Sequence, residues 1–62
     1  MIDRDKADKI ILELQAMQRR AHEAGLHFTA RVINNTMNAA GWELAGNIDE
    51  AVKAAVRDIG LT

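Results

Sequence analysis

The sequence predicts an all-α fold, a single small domain over residues 1–62, on three observations. Apolar residues recur at steps of three and four in three successive stretches, and no stretch alternates with the period of two that marks a half-buried strand. Gly25 and Gly46 stand between those stretches, where glycine ends a helix in the left-handed conformation. Capping residues precede the first and third stretches: Asp3 or Asp5, and Asn47. The expected architecture is a small three-helix domain, an antiparallel helical hairpin over about residues 3–24 and 27–45 followed by a short C-terminal helix over about 48–59. A dimeric helical bundle is expected as the complete particle.

In the first helix, Ala7, Ile10, Ile11, Leu14, Met17, Ala21 and Ala24 form one stripe, expected to lie against the second helix. If Asp3 is the cap, Ile2 packs on Ala7 as a hydrophobic staple. Asp5 with Lys9, Lys9 with Glu13 and Arg19 with Glu23 are four apart on the outer surface, each pair contributing a few tenths of a kcal/mol at best. Leu12 lies away from the stripe as an ordinary exposed leucine. Arg19, Arg20 and His22 suit the negative end of the helix dipole, and Leu26 is expected to fold back over Ala21 after the Gly25 turn.

The second helix is the candidate centre. Val32, Thr36, Ala39 and Ala40 share one side, flanked by Phe28 on one edge and by Ile33, Met37 and Leu44 on the other. That arc is wider than one neighbouring helix covers. Arg31, Asn34, Asn35, Asn38 and Trp42 make up the narrow remaining stripe. Three asparagines within five residues are poor helix formers, so their amides are expected to have partners worth the lost propensity. Gly41, in a run with Ala39, Ala40 and Ala45, is expected to let another helix approach closely.

Asn47 with Glu50 reads as a capping box that opens the third helix. Ile48, Ala51, Val52, Ala55, Val56 and Ile59 then share a face, with Gly60 as terminator and Leu61 folding back.

Composition narrows the function. A chain of 62 residues without cysteine has neither disulfides nor thiolate metal sites, so its folding rests on helix packing, and a second copy, or a protein partner through the second helix, is expected to complete the core. Eight basic and nine acidic residues, net charge −1, argue against nucleic acid and anionic membranes as partners. A charged N-terminus without an uninterrupted apolar run points away from a signal peptide or membrane span and towards the cytoplasm. Catalysis is not expected, because no serine, cysteine or tyrosine offers a nucleophile beside a base. No cofactor is expected, since the glycines do not form a phosphate loop. No metal is expected either: His22 and His27, with Glu23 near them, are five apart across a glycine rather than three or four apart on one helix face.

The function expected is therefore a small protein-interaction or regulatory module that self-associates through its second helix. Phe28, Arg31, Ile33, Asn34, Asn35, Met37, Asn38, Trp42 and Leu44 are the candidate interaction residues. The competing expectation is a helix-turn-helix DNA-binding regulator in which Arg31, Asn34, Asn35 and Asn38 read base edges. Few phosphate contacts are available to support it.

Overall fold

The computed structural model describes residues 1–57 as three helices, α1 (Arg4–Glu23), α2 (His27–Leu44) and α3 (Ile48–Ala55). The all-α three-helix fold is the one predicted. Among the described residues no helix is long and apolar enough to cross a membrane.

The boundaries follow from local chemistry. Asp3 caps α1, its carboxylate accepting from the Lys6 amide at 3.1 Å, while Ile2 and Ala7 line one groove as the staple requires. Both interhelical turns use the same device. Gly25 (φ +84°) and Gly46 (φ +80°) are left-handed; Leu26 N–H donates to the Ala21 carbonyl at 2.8 Å, and Asn47 N–H to the Trp42 carbonyl at 2.9 Å. That second bond limits the capping box at α3. Asn47 Oδ1 accepts from the Glu50 amide at 3.1 Å, but the Asn47 amide is already engaged, and Glu50 turns its carboxylate to Lys53 instead.

Two glycines of different conformation should respond oppositely to alanine. At Gly25 the left-handed backbone strains any L side chain, so Gly25→Ala costs about 1–2 kcal/mol. At Gly41, inside α2, an added Cβ meets nothing within 4 Å, so the expected close approach of a helix there is absent. Gly41→Ala is thus expected to stabilise by about 1 kcal/mol through helix propensity. Urea unfolding of the two variants checks both signs.

The helices lie side by side. The start of α1 (Lys6, Ile10) shares a groove with the end of α2 (Ala40, Glu43, Leu44), and the Arg57 carbonyl just past α3 accepts from Asn35 in the middle of α2, so each neighbouring pair is antiparallel. Helix α2 touches both others, whereas α1 and α3 do not touch. The Cα extents are 36 × 30 × 10 Å. Two packed layers of helices need about 13 Å or more, an interaxial distance of about 8–10 Å plus a Cα cylinder of about 4.6 Å. This chain is one layer thick. Its radius of gyration, 12.1 Å, exceeds the roughly 10.6 Å of a compact chain of this length.

A single layer has no interior for bulky groups. Among the described residues the buried ones are Ala21, Ala30, Ala51 and Asn35, and no large side chain is fully enclosed. Alanine at the contact lines lets the axes approach while the larger apolar residues stand beside those lines. The predicted α1 stripe is accordingly divided. Ala7, Ile11, Leu14 and Ala21 are at least half-buried, but Ile10 and Met17 remain exposed.

Two further expectations are corrected. The pairs Asp5–Lys9, Lys9–Glu13 and Arg19–Glu23 do not form; Lys53–Glu50 at 3.4 Å is the sole ion pair among the described residues. Solvation and side-chain entropy outweigh such exposed attractions. Helix α3 stops at Ala55 instead of continuing to about residue 59, with Val56 and Arg57 in a turn. The buried Asn35 amide takes the Arg57 carbonyl as its acceptor at that point. Ile59, Gly60 and Leu61 lie outside the described residues.

Candidate functional site

The two broad sides of the layer differ in chemistry, and the grooves between helices establish which residues share a side. On α1 the residues turned to α2 are Ala7, Ile11, Leu14, Gln18 and Ala21; Ile10 and Met17 lie about 60–80° to one side of their centre at 100° per residue. The groove on that side contains Lys6 and Ile10 of α1 with Glu43 and Leu44 of α2. Val32, Thr36 and Ala39 are within about 40° of Glu43 around α2, so they open onto the same side.

The other groove, between α2 and α3, is lined by Met37, Asn38, Gly41, Trp42, Ala54 and Arg57. Gly41 lies about 160° around α2 from Glu43, which puts this groove on the opposite side of the layer. On α3, Ala54 and Arg57 fall to one side of the contact residue Ala51, while Ile48, Val52 and Val56 fall to the other. Ile48, Val52 and Val56 therefore join Ile10, Met17, Val32 and Ala39 on one face.

That apolar face draws on all three helices. Val52, near its α3 edge, is 58% exposed, and Ile10 and Ile48 are similarly open. Thr36, near its centre, donates its hydroxyl to the Val32 carbonyl at 2.9 Å, so its polar atom is satisfied within the helix. By helical position, Lys6, Glu13 and Arg20 border the face along α1. The reverse side carries Asp8, Gln15, Arg19, Asn34, Asn38 and Glu50, with Met37 and Trp42 in its α2–α3 groove, and is the more polar of the two.

The candidate interaction residues from the sequence are spread over several environments. Phe28 is 62% exposed and opens towards the apolar face at the start of α2. Ile33 and Leu44 are half-buried on the side of α2 that meets α1, and Met37 is half-buried in the groove on the polar side. The stripe Arg31, Asn34, Asn35, Asn38 and Trp42 is turned largely to the α3 side, with Trp42 in the α2–α3 groove. Asn35 is 3% exposed and donates Nδ2–H to the Arg57 carbonyl, a structural partner for one of the three asparagines. Arg31, Asn34 and Asn38 remain exposed, and Asn35 is withdrawn from any set that reads bases.

Ile10, Met17, Ile48, Val52 and Val56 belong to the exposed apolar face but not to the sequence-derived set. Their signal was present in residue size: Ala21, Ala51 and Ala54 hold the helix contacts, and the larger residues lie one step around each helix.

His22 and His27 meet across the Gly25 turn with Nδ1 atoms 3.1 Å apart and ring centroids 5.4 Å apart, one ring donating to the other. Among the described residues no cluster of three or more His, Asp or Glu side chains is placed to hold a metal ion.

No protein family matches the chain, and no curated protein or solved structure is significantly similar to it.

Proposed function

We propose that the protein is a small interaction or regulatory module, without catalysis of its own, that works as a self-associated helical dimer. The observation that carries this reading is the single-layer arrangement, in which no large side chain among the described residues is fully enclosed. Stable domains bury the apolar side of one layer against another. The described residues form one layer, and a further copy supplies the second.

Linkage gives a test. If folding is coupled to association, the melting temperature rises with protein concentration, since the dimer is favoured by mass action. Circular dichroism melts from low to high micromolar chain should show that rise. A melting temperature independent of concentration over this range, with full helicity at the lowest concentration, contradicts the proposal.

A further inference from the structure

We infer that the second copy docks on the apolar face built jointly by α1, α2 and α3, face to face about a two-fold axis near the middle of α2, rather than along α2 alone. This rests on the self-association reading and specifies its geometry.

Area supports it. The chain exposes 4808 Å², whereas a folded monomer of its 6.8 kDa averages about 4,000 Å². The surplus is roughly 800 Å², the share one partner contributes to a standard-sized interface. The broad side of the layer, 36 × 30 Å in Cα extent, is of that order, and all three helices are needed to span it.

Chemistry supports it as well. The face has an apolar centre and a charged border, with Lys6, Glu13 and Arg20 along α1 and Glu43 beside Lys6 at the end of α2. Its middle is lined by small residues, Thr36 and Ala39, so two copies of α2 can approach closely. The Thr36 hydroxyl is already bonded to the Val32 carbonyl and needs no water when covered. Closure follows from the reverse side. Because that side is the more polar one, an isologous pairing uses the apolar face once on each copy and leaves no second face like it, so assembly stops at two. The product is two layers of three helices around a shared core.

The absence of cysteine from the sequence makes single-cysteine variants clean probes. Residues beside a two-fold axis meet their own copies. Thr36→Cys and Ala39→Cys, in the full chain at low micromolar concentration, should give covalent dimers on mild oxidation or with a short bis-maleimide. Asn34→Cys, on the polar side, should remain single under the same treatment. Light scattering on the unmodified protein separates the two levels of inference. A dimer in which Thr36→Cys and Ala39→Cys both stay uncoupled, or in which Asn34→Cys couples instead, overturns the face assignment and leaves self-association standing. A folded monomer overturns both.

Discussion

Val52→Glu is expected to dissociate the protein and, with dissociation, to unfold most of it. In the isolated chain Val52 is exposed, and a surface substitution of this kind usually changes stability by less than about 0.5 kcal/mol. In the face-to-face dimer the same position is covered, and an introduced carboxylate would lose its water without gaining a partner. We expect association to weaken at least 100-fold, equivalent to about 2.8 kcal/mol. Loss of helicity at low micromolar concentration is the second expected sign, because the separated layer has little core of its own. Leu12→Glu is the matched control. Leu12 is 64% exposed on the outer edge of α1, away from the apolar face, and its replacement should leave both mass and helicity unchanged. Equal, near-neutral behaviour of the two variants would count against the apolar face as an interface.

Asn35→Asp is expected to have the second large effect, for a reason internal to the chain. The native amide donates to the Arg57 carbonyl from a nearly closed site between α2 and the end of α3. An ionised carboxylate has no hydrogen to donate there and would face a carbonyl oxygen while poorly solvated. Unfolding by urea at neutral pH should show a loss of about 3 kcal/mol or more, above the roughly 1–3 kcal/mol expected for Asn35→Ala. The pH dependence has a definite sign. Burial beside an acceptor raises the folded pKa of the introduced acid above its unfolded value of about 3.9. The protonated acid can donate to the carbonyl, so the deficit relative to the parent should shrink at acid pH and grow as pH rises through the folded pKa. A deficit constant with pH would mean that the Asn35 hydrogen bond does not hold the two elements together.

Much of the local structure was legible from short-range chemistry. Asp3, Gly25, Gly46 and Asn47 act on backbone groups within a few residues, and their caps and turns appear where those residues stand. Asn35 illustrates a partial success: an asparagine within a helix implied a partner for its amide, but a backbone carbonyl 22 residues away could not be named from periodicity. The division of the α1 stripe was less accessible. Periodicity groups Ile10 and Met17 with Leu14 and Ala21, because all lie within a broad arc. How much of that arc one neighbour covers depends on how many helices surround α1, and α1 touches only α2. The same limit applies to Val52 and Ile48, assigned to the buried side of α3 although the small Ala51 makes the contact. Gly41 failed for a related reason, since a run of small residues permits close packing but does not supply the helix that would use it.

Sedimentation equilibrium of the unmodified chain at low micromolar concentration is the most direct measurement. Twice the chain mass, in a sample with full helicity, is the predicted result. A particle of single chain mass with the same helicity and a cooperative melt would show that one layer of helices stands alone.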